Sequence, residues 1–544
     1  MRKLYCAILA LSVILGCKNN TAKIEPPRPL PKVAFKNIFH SGFKSFSKKE
    51  IDGYTLDSIQ WVDAVYKDND HMPIWITDSL TLSDEAQQLI SHLLNARNYG
   101  LQTQYYPTQI ISELANKLKT DIVLSEKEEV ASILEPVLTY SYMLFGMHLN
   151  RGILTSIDSL TVLPRKEFTV DMPRYLNGAF QADSLMSKLL DLQPEQVQYK
   201  HLQKALEAYL KQADLSTNSV EVIPYKEDSL KAIEFSKQAL QLHGYLDAKG
   251  SDSAYINALQ KFQTDHGLNP DGVIGKNTAR ALSVSPYEYY QKIVASLERW
   301  RWKNNWNGYY LYVNIPSFRL QLFKDGKLAK EYVTVVGAVK NETPEIADTL
   351  EYIIAYPYWH VPNKIAVEEV LVKAKKDSTY LERNNFDILN SKREILDPKS
   401  IDWSKMTANN FKYSVRQEGG SANSLGYVKF IFPNKYSIYL HDTPTKYYFS
   451  YESRAYSHGC VRVQHALDLA DFLLENDENR YTLDSIKSFI DRRKERVISL
   501  NHKIPIYIYY MPTVADSLGN IIFYEDVYGL DNKLIQRLVS YGKQ

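Results

Sequence analysis

At Tyr309 the apolar residues of this chain change their period, and one layer of structure cannot serve both halves. Before that point they recur at helical spacing. In SDEAQQLISHLLNARNYG, which begins at Ser83, the residues Ala86, Leu89, Ile90, Leu93 and Leu94 share one face; Ser83 is placed to cap the helix and Gly100 to end it. Similar patterns cover 110–118, 132–149 and 202–210. From Tyr309 onward YYLYVNIPSFRLQLFKDGKLAKEYVTVVG alternates instead, with Leu311, Val313 and Ile315 on one face and Asp325-Gly326 as a hairpin turn. Further strands are expected at 427–432, 436–441, 504–510 and 521–524, with Leu518-Gly519-Asn520 as a turn. The stretch between Pro362 and Asn423 is too long for a plain connection. Loops of that size on a β scaffold commonly form lids or binding walls, so 363–423 is expected to cap the domain that carries it. The chain therefore divides into a mostly α-helical domain over 34–225, a short helical unit over 228–284 and a β domain over 300–544. The single histidines His92 and His148 sit inside helical patterns, where packed or surface side chains are expected and not ligands.

With 44% hydrophobic residues and a net charge of +2 over 544 residues, the composition is that of ordinary globular material and makes no case for nucleic acid. The N-terminus is different. Met1, Arg2 and Lys3 are followed by an apolar run, Leu4 to Leu15, too short to span a bilayer, and then by Gly16 and Cys17. Ile14-Leu15-Gly16-Cys17 resembles a lipobox, which implies a signal over 1–17 and a lipidated Cys17; an ordinary cleaved signal stays open. The proline-rich 18–33 would then be a semi-extended tether from a membrane, the outer membrane being expected, with the folded part in the periplasm. No second apolar run approaches the roughly 20 residues of a transmembrane helix. Cleavage removes Cys6. If Cys17 carries lipid, Cys460 is the last free thiol of an exported chain, with no partner for a disulfide.

Within 228–284, Tyr255, Ile256, Leu259 and Phe262 form a helical stripe, followed by HGLNPDGVIGKNTARAL with Gly267, Pro270, Gly272 and Gly275 as turn residues. Leu259-Gln260-Lys261-Phe262-Gln263 and Asp271-Gly272-Val273-Ile274-Gly275, with Thr278, resemble the small three-helix peptidoglycan-binding module. Without that resemblance the same stripe reads as the core of a helical linker domain.

The last thiol lies in HDTPTKYYFSYESRAYSHGCVR, His441 to Arg462, beside His441 and His458. His441 followed by Ser457-His458-Gly459-Cys460-Val461-Arg462 resembles the signature of the L,D-transpeptidase catalytic domain. The approach from Asn423 to Pro444, and Trp359-His360-Val361-Pro362-Asn363 at the mouth of the insertion, resemble its large exported subfamily. Many members have Asn where this chain has Arg462. The resemblance implies a β-sandwich-like catalytic domain behind a helical scaffold, with peptidoglycan stem peptides and glycan as partners and no cofactor. It further implies that Cys460 attacks the third-residue carbonyl of a tetrapeptide stem, releases D-alanine and passes the acyl group to an amine. Asn423, Tyr439, Trp359 and Arg462 are the substrate-binding residues it suggests.

The chemistry is intelligible from the residues as well. Acyl transfer without a nucleotide or metal motif needs a nucleophile that stores the acyl group, and a thiolate does so. Gly459 permits close approach, and the N–H groups of Gly459 and Cys460 are candidates for the oxyanion. The planar fork of Arg462 suits a substrate carboxylate. Two residues apart on an extended segment, His458 and Cys460 point the same way side by side, so His441, from another strand, is the expected base and His458 is secondary. The acceptor stays open, water included, which would make the enzyme a carboxypeptidase. So do a zinc-dependent amidase or peptidase, because His441, Asp442, His458 and Cys460 are all competent zinc ligands, and a silent wall-binding scaffold.

Overall fold

The computed structural model describes residues 59–541 except 155, 158–159, 248–250, 307 and 378, together with 50–51 and 54–55. The 1–17 signal, Cys17 and the 18–33 tether lie outside the described residues. The chain forms two compact units, residues 1–87 with 109–140, and residues 88–108 with 141–544.

In the first unit β1 (Glu50–Ile51) pairs with β2 (Tyr54–Thr55), and the helices Ile59–Asp68 and Thr108–Leu118 follow in the chain. Its core holds an acid. The Glu135 carboxylate accepts the backbone N–H groups of Ile74, Trp75 and Ile76 and the Tyr66 hydroxyl, which is how a polar group survives full burial. Desolvation still pushes Glu135 up to about 7. The helix that carries it, Leu124–Arg151, is longer than its apolar pattern, and by length and composition it could cross a membrane. Since 78% of its most apolar stretch is buried within the protein, it has the character of a core helix.

The second unit contains the helices Ser229–Leu242, Asp252–Asp265 and Lys276–Leu282, packed on Leu240, Leu259, Phe262 and Leu282. Asp228 and Ser251 cap the first two. Gln263 explains the spacing of the sequence motif: its amide donates to Asp271 Oδ1 and the Val273 carbonyl, both at 3.0 Å, and accepts the Gly272 N–H at 2.9 Å. The turn needs φ +72° at Gly272. Ile256 faces outward, because a helix stripe keeps Tyr255, Leu259 and Phe262 and turns the next residue away.

The helix Pro286–Arg301 leads into the β-rich part and ends near two buried ion pairs, Arg299 with Asp531 and Lys303 with Glu345. The strands are β3 (Tyr310–Asn314), β4 (Arg319–Lys324), β5 (Lys327–Gly337), β6 (Ile346–Ala355), β7 (Trp359–Val361), β8 (Phe386–Leu389), β9 (Ile395–Leu396), β10 (Ser414–Gln417), β11 (Val428–Ile431), β12 (Leu440–His441), β13 (Ala455–Ser457), β14 (Val461–Val463), β15 (Arg496–Tyr509), β16 (Thr513–Ala515) and β17 (Ile521–Phe523). Asp325 and Gly326 both have positive φ, the mark of a primed hairpin turn. Nine strands form one sheet in the order β13-β5-β14-β12-β11-β6-β15-β3-β4, and β4 pairs back onto β5, so the sheet curls closed around a core that includes Leu311, Ile353, Phe430, Leu440, Val461 and Ile506. The expected strand 436–441 is shorter. Asn434 binds the N–H and carbonyl of Ile438 and Ser437 takes φ +56°, which bends the chain before β12.

The insertion is not the loosely polar segment its composition suggests. With its flanking strand β7 it builds a four-stranded sheet, β7-β10-β8-β9, over its own core of Val370, Leu371, Phe386, Ile388, Trp403 and Val415.

Candidate active site

Alternation on the short strands builds the site. Phe430, Leu440, Val461 and Val463 point into the core. Their neighbours Lys429, His441 and Arg462 therefore share the other face, and Tyr439, just before β12, lies against Lys429, His441 and the Cys460 sulfur. Lys429 on β11 is the direct cross-strand partner of His441 on β12, and His441 is the partner of Arg462 on β14, so the imidazole stands in a row between two cations.

His441 is 5% exposed, and its Nδ1 lies 2.5 Å from the Asp442 carbonyl. A carbonyl can only accept, so Nδ1 carries the proton and Nε2 keeps its lone pair. Burial, then Arg462, with Lys429 and Lys446 adding, pushes the imidazole down to about 3. The Asp442 carboxylate is turned away, accepting the Tyr427 N–H at 3.0 Å and pairing with Lys446. The Cys460 thiol lies 3.8 Å from the Ser437 carbonyl, and both the N–H and the hydroxyl of Tyr439 donate to its sulfur. Even so, desolvation pushes the thiol up to about 11. Neutral thiol and neutral imidazole are the resting pair.

The other expected site residues divide. Trp359 on β7 donates its indole N–H to the Tyr439 hydroxyl, and so reaches the thiol through that ring. Arg462 bonds Thr445 Oγ1 at 3.2 Å and lies over Tyr448, its Nε buried and unpartnered. His458 does not turn to the sulfur; its Nε2 lies 2.5 Å from Glu369 Oε1 on the insertion. Asn423 is misassigned as a substrate contact: 1% exposed, it donates to the Pro357 and Glu418 carbonyls and accepts the Leu425 N–H. Its polar atoms are consumed in shaping the 417–425 loop. Gly459 also needs correction as an oxyanion donor, because its N–H already donates to Ser457 Oγ at 3.1 Å. What requires glycine there is φ +113°, with Ile438 Cδ1 only 3.1 Å from where a Cβ would stand.

Pattern reading placed Ser457 in the motif without a role and passed over Thr343. Ser457 Oγ spans the Cys460 turn, accepting from Gly459 and donating to the Cys460 carbonyl at 2.6 Å, while Thr343 donates to the Gly459 carbonyl at 2.7 Å. A serine three residues before the thiol was the available signal for the first; Thr343 lies 116 residues away and gives none. Among the described residues no three of His, Cys, Asp and Glu converge as a metal site.

Residues 308–486 match the family model of the L,D-transpeptidase catalytic domain. Over those residues the chain carries an L,D-transpeptidase catalytic domain by that match. Residues 60–206 match a model described as a scaffold domain, and 231–282 one described as "Putative peptidoglycan binding domain". A Haemophilus influenzae protein named "Putative L,D-transpeptidase" is 35% identical over 224 residues, which is 41% of this chain and 45% of that protein. The chain thus matches less than half the length of that relative. Among solved structures, an L,D-transpeptidase from Mycobacterium smegmatis is 13% identical, covering 38% of this chain and 60% of its own, with TM-score 0.16. Another from Xylanimonas cellulosilytica is 14% identical, covering 50% and 90%, also with TM-score 0.16.

Proposed function

We propose that this L,D-transpeptidase cross-links peptidoglycan stems through a Cys460 acyl-enzyme, with His441 as the base. The observation that carries the reading is that Tyr439 contacts the Cys460 sulfur and sets its ring 5.7 Å from that of His441, whose Nε2 lone pair is left free by the Asp442 carbonyl. As the sulfur attacks the third-residue carbonyl of a tetrapeptide, its proton passes to Nε2. The tetrahedral oxyanion is held by the Cys460 N–H, joined by the Tyr439 hydroxyl once attack has turned the sulfur's lone pair to carbon and released that proton from it. Collapse breaks the amide bond, the departing D-alanine nitrogen takes the proton from His441, and a thioester remains. The side-chain amine of a second stem then attacks while giving a proton to Nε2; the carbon–sulfur bond breaks, and the thiol recovers its proton. Water in place of the amine gives the carboxypeptidase outcome.

A low imidazole pKa favours this sequence, because the base is neutral when the substrate arrives. Arg462, with an Nε still unpartnered, is suited to a carboxylate of the stem. Trp359, which reaches the thiol through Tyr439, is positioned to line the acyl site, and the insertion acts as a lid whose Glu369 meets His458 beside the nucleophile turn. The scaffold and binding-module matches support work at the cell wall, in a periplasmic or extracellular setting. Lipidation at Cys17 would hold the protein to a membrane there, an assignment that fails if Cys17→Ala stays in the membrane fraction unchanged.

Disaccharide tetrapeptide incubated with the protein and followed by mass spectrometry tests the reading. Dimers linked between third residues, with one D-alanine lost per link, are expected. Tripeptide alone identifies water as the acceptor, and unchanged substrate contradicts the proposal.

A further inference from the structure

The backbone around Cys460 is held peptide by peptide. The Gly459 N–H donates to Ser457 Oγ at 3.1 Å, and the Cys460 carbonyl accepts from the same hydroxyl at 2.6 Å. The Val461 N–H, in the same peptide unit as that carbonyl, donates to the Tyr439 carbonyl at 3.1 Å. These bonds fix the units on either side of the Gly459–Cys460 peptide and leave that peptide itself untouched. It could swing about its own Cα–Cα axis by changing ψ of Gly459 and φ of Cys460 together, and glycine opposes such a swing less than any other residue.

One bond stops it. Thr343 Oγ1 accepts the Gly337 N–H at 2.8 Å, and a backbone N–H can only donate, so the single hydroxyl proton is committed to the Gly459 carbonyl at 2.7 Å. Thr343 is 2% exposed and is braced in its turn. Its own N–H donates to the Tyr528 hydroxyl at 3.1 Å, and that hydroxyl donates to the Gly337 carbonyl at 2.7 Å. Glycine at 337 permits this approach, since a Cβ there would stand 2.6 Å from the Thr343 nitrogen. Among the described residues neither the Gly459 carbonyl nor the Cys460 N–H has another protein partner.

The Gly459–Cys460 bond is trans, so its carbonyl and its N–H point in opposite directions. With the carbonyl drawn to the buried Thr343, the Cys460 N–H is turned away from it and stays without an acceptor, as an oxyanion donor must before substrate arrives. We infer that Thr343 is a positioning residue for acyl transfer: by anchoring the Gly459 carbonyl it aims the Cys460 N–H at the oxyanion. The inference rests on the acyl-enzyme reading above and adds to it a side chain that never touches substrate.

The test compares two reactions of one sulfur in the full chain. In acylation by a β-lactam the sulfur bonds to a carbonyl carbon and the carbonyl electrons move onto oxygen, where the donor is needed. In alkylation by iodoacetamide the sulfur bonds to a methylene carbon, iodide leaves with the bonding pair and the thiol proton goes to the base, so no oxyanion forms. Thr343→Val, which keeps the shape and removes the hydroxyl, should slow acylation about tenfold or more, part of the roughly 10² to 10³ that loss of an oxyanion donor costs, and leave alkylation at its original rate. Thr343→Ser, which keeps the hydroxyl, should restore most of the acylation rate. Tyr528→Phe removes the brace and leaves the threonine, so it should slow acylation by a smaller factor; it carries the test if Thr343→Val does not fold. Unchanged acylation in the variant that carries the test overturns the inference. So does a parallel fall in acylation and alkylation, which would make Thr343 a support of the whole turn. Either failure leaves the Cys460 acyl-enzyme standing, whereas an unmodified chain that is alkylated at Cys460 but never acylated removes the acyl-enzyme reading and this inference with it.

Discussion

Arg462 is the cross-strand partner of His441, and its guanidinium is the largest charge effect holding that imidazole neutral. The residue expected to grip substrate therefore also tunes the proposed base. With His441 down at about 3 and Cys460 up at about 11, neither group changes charge across the neutral range. Acylation of Cys460 by a β-lactam should accordingly be flat from about pH 5 to 9. In Arg462→Gln an acid limb should move upward toward the ordinary histidine value; an inflection near 6.5 in the unmodified protein would contradict this assignment.

The same depression has a stability consequence. Below pH 6.5 an unfolded His441 takes a proton that the folded one refuses, so its contribution is intact above that pH and is lost as acidity increases toward about 3. His148 and His266, also lowered to about 3, act in the same direction. Denaturant unfolding at pH 5 and pH 7 should show lower stability at pH 5, with the loss reduced in His441→Gln.

Gly459→Ala should cripple acylation more than folding. The substituted residue would have to hold φ +113° with its Cβ against Ile438, a local strain of about 1–3 kcal/mol, and relief of that strain moves the Cys460 turn. Acylation rate and thermal midpoint measured together separate the two effects; an unchanged rate would refute the geometric role.

How far these elements were legible before folding depended on range. The Asp325-Gly326 turn and the Leu311, Val313, Ile315 face are local patterns, and both appear as read. The module motif was legible as a string, but why Gln263 belongs to it becomes clear only when its amide wraps the Asp271-Gly272 turn. The pairing of His441 with Arg462, and the grip of Thr343 on Gly459 across 116 residues, are set by strand register and carry no short-range signal. Asn423 failed for a related reason: a polar residue beside a motif looks available for substrate until its backbone partners are known.

Asn423→Ala should therefore lower stability by about 1–3 kcal/mol through unsatisfied loop groups, with substrate affinity changed little. Chemical denaturation and KM for the tetrapeptide check this. A large rise in KM at unchanged stability would restore Asn423 to the substrate site.

Lys303→Met should be among the most destabilising single changes in the β-rich part. It leaves Glu345 buried without its cation, at a cost of about 3–5 kcal/mol. Replacing both partners with apolar residues should recover part of the loss in the same denaturation assay, and additive losses would show that the two act independently.

The measurement that bears most directly on the account is the β-lactam acylation rate of Cys460 in His441→Ala against His458→Ala, with intact mass confirming one adduct per chain. His441 has Nδ1 fixed by the Asp442 carbonyl and its Nε2 free, whereas the ring of His458 is directed at Glu369. His441→Ala should lose about 10² to 10⁴ in rate, as removal of a general base does, and His458→Ala far less. If His458→Ala proves the more damaged of the two, His441 is not the base.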